Sequence, residues 1–267
     1  MDHLRRELAP VSQTAWAAIE QEATNTLKEM LAARKLVDFE GPLGWEASSV
    51  DLGRVRRLDV ALQEGVETRL RLVLPMVELR APFVLSREEL EALDRGAPNV
   101  DLQPVLDAAR NAAMAEDKAV FYGLPQADIT GIAGAAPTTL SLSDDYLRYP
   151  DVVAQALEQM RSAGVAGPYG IALGPRCYTG LTQTRDAGYP IIEHVRRLLD
   201  GPIVWAPAAD GAIVLSLRGG DFELTVGQDF SIGYLDHDEQ NVRLYIEETC
   251  TFRVNTPEAA VPLRYAA

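Results

Sequence analysis

Between residues 12 and 34 the apolar positions Trp16, Ile19, Ala23, Leu27, Met30 and Leu31 recur every three or four residues, with Glu20, Glu22, Lys28 and Glu29 between them. A stripe of that period turns one face of an α-helix toward a core, and Ser12 or Thr14 stands where an N-cap belongs. Past Gly41-Pro42 the period changes. Over 49–85 the chain alternates in places, as in Arg69-Leu70-Arg71-Leu72, and Gln63-Glu64-Gly65 offers a turn. This segment reads as an extended β-hairpin arm. A two-stranded hairpin is at best marginally stable alone, so Leu70, Leu72 and Leu74 need cover from the domain core or from another subunit.

Asp101 followed by Pro104 opens a second helix, whose stripe of Val105, Leu106, Ala109, Ala113, Val120 and Phe121 makes it a buried spine. A third helix over 150–163 carries Val152, Val153, Ala156, Leu157 and Met160. An apolar run at 169–173, a short helix near Tyr178 and a fourth helix over about 191–199 follow, so helix and strand alternate as in an α/β lobe. The last third reads as a meander. Strands at 212–217 and 222–226 flank the tight turn Arg218-Gly219-Gly220-Asp221, and 242–254 is expected to be the final strand.

Composition then narrows the function. Among 267 residues, 39 are acidic and 25 basic, a net charge of −14 that disfavours binding to phosphate backbones. No apolar stretch approaches the roughly 20 residues of a membrane helix, and the charged first ten residues lack the apolar core of a signal peptide. The expectation is a cytoplasmic protein with no nucleic acid and no membrane among its partners. Cys177 and Cys250 lie far apart, in no CxxC, and read as buried reduced thiols. His3, His194 and His237 are too scattered for a zinc site. Asp236-His237-Asp238-Glu239 is the densest set of metal-ligating residue types, but it falls between two strands, where consecutive side chains diverge, and reads as a solvated turn. Glu247-Glu248 face opposite sides of a strand and form no acid–base pair. The glycines over 131–134 and 164–170 match no phosphate-binding loop, and neither GxSxG nor HExxH occurs. No catalytic residue, metal site or cofactor is assigned.

The chain also carries a family pattern. Leu8-Ala9-Pro10, Trp16, Arg34-Lys35 with Val37-Asp38, and Gly41-Pro42-Leu43-Gly44-Trp45 resemble the N-terminal signature of encapsulin shell proteins, the linocin family. The likeness continues in order through Leu79-Arg80 with Pro82-Phe83, Arg95-Gly96, Glu116-Asp117 with Phe121 and Gly123, Gly167-Pro168-Tyr169, and Gly188-Tyr189-Pro190. Arg218-Gly219-Gly220-Asp221-Phe222, Gly227-Gln228-Asp229, Ile232-Gly233-Tyr234, and Glu248-Thr249 with Thr251-Phe252 complete it.

The resemblance implies an α+β chain with the Hong Kong 97-type phage major capsid fold. In that frame 1–45 is an N-terminal helix arm and 46–85 an extended hairpin loop. Residues 86–136 and 208–267 form a peripheral domain with the spine helix, and 137–207 an axial domain. It implies too a non-enzymatic, icosahedral cage of sixty subunits or a multiple. Such a cage encloses a cargo enzyme, for example a dye-decolourising peroxidase or a ferritin-like protein, held by its C-terminal peptide. Carried over residue by residue, the peptide pocket comprises Leu27, Met30, Leu31, Arg34, Leu36 and Asp38 with Asp229, Phe230, Ile232 and Tyr234. Arg185, Asp186, Ala187, Gly188 and Tyr189 line a pore at the five-fold axis. An apolar helical stripe with flanking charges suits a peptide that presents alternate aliphatic side chains. A viral major capsid protein would share the fold but package nucleic acid, and a soluble enzyme or bacteriocin would act as a small species.

Overall fold

The computed structural model describes residues 3–265. Helix α1 (Gln13–Met30) starts at Ser12, whose hydroxyl accepts the Ala15 amide as the capping reading requires. It stops short of residue 34, because the carboxylate of Asp117 takes the amides of Ala32 and Ala33 and holds the chain in a separate turn, Ala33–Lys35. Helix α2 (Arg87–Asp94), which the periodicity reading did not pick out, is capped by Ser86 and carries Glu88 and Glu89 in its first turn. Helix α3 (Gln103–Tyr122) is the expected spine, with Val105, Ala109, Ala113, Val120 and Phe121 buried. The Gln103 amide donates to Asp101 at its start.

Helix α3 lies against a five-stranded sheet built around the strand Asn241–Val254, and α1 packs on α3. Val77–Ser86 pairs antiparallel with this strand from Asn241 to Cys250. Along its opposite edge lie Ser231–His237 and then Phe222–Val226, and Asp38–Glu40 adds in parallel to the latter. The hairpin arm is therefore shorter than 49–85. It consists of Ser49–Arg57 and Arg69–Pro75, while Val77–Ser86 leaves it for the sheet because Phe83 and Leu85 are buried there. A register shift between Asp51 and Arg54 bends the arm at Gly53, whose φ is 64°. Val55, Val60, Leu62, Val66, Leu70 and Val73 are exposed on it.

The second sheet runs Ile203–Trp205, Tyr169–Leu173, Ala212–Ser216, Ala260–Tyr265, Leu140–Leu142. The helices Tyr149–Ser162, Pro175–Gln183 and Ile191–Leu198 occupy the positions their periodicity predicts. Residues 208–267 contribute to both sheets, and Asn241–Val254 is not the last strand. Ala212–Ser216 is buried at all five positions, as a strand in the middle of a sheet must be, and Ala260–Tyr265 pairs beside it. Between the sheets the turn at 218–221 is fixed by a two-pronged Arg218–Asp221 ion pair, with Gly219 and Gly220 at φ 84° and 81°. One continuous buried cluster spans both sheets, from Ile171, Val214 and Val261 to Leu224, Val226 and Phe252. Among the described residues no helix is long and apolar enough to cross a membrane.

Candidate functional site

Helix α1 and the edge strand Ser231–His237 leave between them a cleft of about 260 Å³. Ala23, Thr24 and Leu27 of α1 form one wall, Phe230, Ser231 and Ile232 the other, and Ile246 the floor. Leu4, Arg6 and Glu20 complete the rim. Three of the ten expected peptide-site residues, Leu27, Phe230 and Ile232, thus meet in one groove of mixed polar and apolar lining. Met30 and Leu31 lie further along α1, buried with Ala113 in a small cluster that Leu27 and Phe230 also touch. Tyr234 is half-buried on the same strand, its hydroxyl bonded to Nδ1 of His237.

Arg34 stands behind this groove rather than in it. Its guanidinium bonds Glu116, pairs with Glu248 and reaches Asp229 at 3.0 Å. Its centre lies 4.9 Å from the rings of both Phe230 and Phe39. The residue is a positioning group: it fixes the Phe230 ring and the Asp229 loop. Leu36 and Asp38 do not join the groove. The turn Ala33–Lys35 redirects the chain, which sends Leu36 into the core and makes Asp38 an acceptor for the Gly220 amide at 2.6 Å. Both line a separate pocket beside the 216–222 turn. Sequence reasoning missed Glu20, Ala23 and Thr24 as wall residues, although with Leu27 they follow the i, i+3, i+4, i+7 spacing of one helical face. It also missed Leu4, Arg6, Ser231 and Ile246. Leu4 and Arg6 belong to no periodic segment and gave no signal.

The cluster around Arg34 is electrostatically unusual. Glu116 and Glu248 are both completely buried and face one guanidinium. Burial raises the Glu248 carboxyl well above the usual range, and the charge and hydrogen bond of Glu116 add to this, while Arg34 works the other way. Burial also opposes the Arg34 charge, but Glu116, Glu248 and Asp229 outweigh it and hold the guanidinium above its ordinary value. Asp117 is pushed up to about 7 by burial, against the two amides it accepts. Glu247 points to the other face of the strand, where His3 Nε2 bonds it at 2.7 Å and Arg80 pairs with it at 3.0 Å. The two glutamates therefore work in separate clusters, as their alternation predicts.

The expected pore residues form a small projecting hairpin. Arg185–Asp186 pairs with Tyr189–Pro190, and Ala187 and Gly188 close it at φ 46° and 91°. Positive φ at both central residues is what a type I′ turn requires. All five side-chain positions are exposed, and Nη1 of Arg185 donates to the Gly188 carbonyl at 3.2 Å. Of the four residues expected in a turn at 236–239, Asp236 and His237 instead end the strand Ser231–His237, opposite Arg243 and Val242, and the exposed turn begins only after them. Asp238 accepts the Gln240 and Asn241 amides, which holds its carboxyl below the usual range. Among the described residues no group of three His, Cys, Asp or Glu side chains is placed to hold a metal ion. Cys177 and Cys250 are buried and free.

Comparison with known proteins gives this geometry a setting. Residues 1–251 match a family model described as an encapsulating protein for peroxidase. A type 1 encapsulin shell protein of Rhodospirillum rubrum is 54% identical, the alignment covering 99% of this chain and 97% of that one. The type 1 encapsulin shell protein of Mycobacterium tuberculosis is 47% identical over 99% of this chain and 100% of its own length. Among solved structures, a virus-like particle from Pyrococcus furiosus superposes with a TM-score of 0.62 at 18% identity, covering 92% of this chain and 98% of that one. The Gordonia phage Cozz structure gives 0.58 at 15% identity, covering 90% and 87%. At those identities the structural likeness is one of fold, that of phage capsids.

Proposed function

The chain belongs to the encapsulin shell family, and on that premise we propose that its copies close an icosahedral cage and hold a cargo enzyme by its C-terminal peptide in the cleft between α1 and Ser231–His237. The observation that carries this reading is the cleft itself, where Leu27, Phe230, Ile232 and Ile246 present apolar surface beside the Arg6–Glu20 ion pair. Such a lining recognises aliphatic side chains flanked by charge. The cargo class is a peroxidase, in keeping with the family description, or a ferritin-like enzyme.

The arm supplies the assembly half of the reading. Its exposed valines and leucines form apolar surface on a two-stranded ribbon that is marginal alone. A neighbouring copy covers them, so folding of the arm and closure of the shell are one event. The hairpin at 185–190 lines a pore on a symmetry axis, where repeated Asp186 carboxylates concentrate cations.

The test co-expresses the shell with a fluorescent protein bearing the C-terminal tail of the enzyme that co-purifies with native shells. Shells form at the void volume in gel filtration, and fluorescence travels with them. A buried aliphatic contact is worth about 1.5 to 3 kcal/mol, so Leu27→Asp lowers loading roughly tenfold or more while cages persist. Undiminished loading in well-formed Leu27→Asp cages removes the cleft from cargo capture.

A further inference from the structure

Both free cysteines are buried, but their surroundings differ. The groups that act on Cys250 are the charged ones of the Arg34 cluster, Glu248, Glu116 and Arg34 itself. Cys177, on the helix Pro175–Gln183, sits among phenols. Its Sγ lies 3.3 Å from the Tyr265 hydroxyl, and that hydroxyl donates to the Tyr146 oxygen at 3.3 Å. Tyr146 in turn donates to the Arg176 carbonyl at 3.4 Å. With its own hydrogen given to Tyr146, the Tyr265 oxygen keeps lone pairs to accept the Cys177 S–H. Every hydrogen in the row Cys177, Tyr265, Tyr146 thus points outward along it. Tyr149 presents a second, completely buried hydroxyl to the thiol, without a well-formed hydrogen bond of its own.

The helix Pro175–Gln183 is shaped to hold this row. A Cβ on Gly180 would fall 2.1 Å from Cζ of Tyr146, so the absence of a side chain there lets the ring lie on the helix. The Arg176 guanidinium stands 3.8 Å over the Tyr265 ring and pairs with Asp144. Cys177 is the buried end of the row, and Tyr146 and Tyr265 are half-buried. Burial holds the thiol above its ordinary range, against the bonds of Tyr149 and Tyr265, and burial raises the Tyr265 phenol as well. Both groups therefore keep their hydrogens at neutral pH. A thiol without thiolate character is a poor nucleophile toward peroxide. The chemistry left to it is donation of a hydrogen atom.

We propose that Tyr146, Tyr265 and Cys177 form a hydrogen-atom relay through which the buried thiol quenches phenoxyl-class organic radicals that reach Tyr146. The incoming radical takes the hydrogen atom of the Tyr146 hydroxyl and leaves as a phenol. The Tyr146 oxygen radical then takes the hydrogen of Tyr265, and the Tyr265 oxygen radical takes that of Cys177. One hydrogen atom moves outward at each step, so both tyrosines are restored. The incoming radical is reduced by one electron, and the thiol is oxidised by one to a thiyl radical. Dissolved dioxygen adds to the thiyl as a sulfur peroxyl radical, and the free thiol is consumed. A peroxidase cargo, proposed above, releases radicals of this class. The relay itself is independent of that reading and answers to radicals supplied from outside.

The test treats purified, cargo-free shells with a soluble peroxidase, p-cresol and hydrogen peroxide. Free thiols are then measured site by site, by alkylation after unfolding and peptide mass spectrometry. The expected result is loss of the Cys177 thiol with Cys250 retained, and retention of both under peroxide alone. Tyr265→Phe removes one hydroxyl and spares Cys177, whereas a merely structural loosening would expose the thiol and speed its loss. Tyr146→Phe interrupts the row at its outer end with the same expected effect, and serves if Tyr265→Phe shells fail to form. In Cys177→Ala shells the radical stays on the phenols, so dityrosine fluorescence after treatment rises above that of the parent. Equal loss of the two thiols, retention of Cys177, its loss to peroxide alone, or a loss unchanged by the phenylalanine variants overturns the relay. So does dityrosine no higher in Cys177→Ala than in the parent. Because the radicals come from outside, such a failure leaves the reading of cage and cargo standing.

Discussion

Two substitutions in the Arg34 cluster have sharply different expected costs. Arg34→Met removes the guanidinium that faces Glu116 and Glu248, both completely buried. Breaking a buried ion pair by deleting one partner costs about 3 to 5 kcal/mol, a large share of a domain's usual 5 to 15. Glu248→Gln differs, because burial and then Glu116 raise the Glu248 carboxyl and so favour its protonated form. An amide has the shape of the protonated acid, so the expected cost is smaller than that of Arg34→Met. The pH dependence follows from the sign of the shift. A carboxyl whose pKa is raised on folding binds its proton more tightly in the folded state. Stability is then highest below the ordinary glutamate range near about 4.3 and declines as pH rises toward the folded value, by roughly 1.4 kcal/mol per unit of that interval. Glu248→Gln removes the group and flattens the decline. Thermal midpoints of purified shells between pH 5 and 9, followed by tryptophan fluorescence, measure both effects. An Arg34→Met shell as stable as the parent, or a Glu248→Gln shell with a steeper loss at alkaline pH, refutes the reasoning.

Deleting residues 60–71 removes the outer arm with Val60, Leu62, Val66 and Leu70 and yields small oligomers or aggregates; closed cages of normal diameter in negative-stain images would show the arm to be dispensable. Asp186→Lys reverses the charge next to the tip of the 185–190 hairpin and slows loading of a metal ion reported from inside the shell; equal rates in both shells remove Asp186 from selectivity. Gly41→Ala destabilises severely, since Gly41 has φ 118° and a Cβ there falls 2.2 Å from the Val226 carbonyl oxygen; an unchanged melting midpoint counts against that placement.

Helix positions were the most legible part of the chain. Ser12 capping α1 and the stripe Val105, Ala109, Ala113 and Val120 in α3 each combine a start signal with a sustained period, so local physics decides the outcome. Strand partners were less so. Val77–Ser86 continues the arm's alternation, but its partner is Asn241–Val254, and residue period carries no information on which distant edge a strand meets. The same limit split the site. Leu27, Phe230 and Ile232 converge, while Leu36 and Asp38 are carried away by the turn at Ala33–Lys35, which Asp117 holds from 84 residues along the chain. Arg34 reads as a flanking charge in sequence because its partners Glu116 and Glu248 lie 82 and 214 residues away.

The turn at 218–221 joins Ala212–Ser216 of one sheet to Phe222–Val226 of the other, and the buried cluster runs on across the junction. A boundary of that kind is a weld rather than a hinge. Rotating one lobe against the other would open packed interior between Val214 and Leu224, so the body meets its neighbours as a single brick of fixed angle. On the proposed assembly, tolerance to curvature then resides in the mortar, the arm that bends at Gly53 and the exposed hairpin at 185–190, and not in the brick.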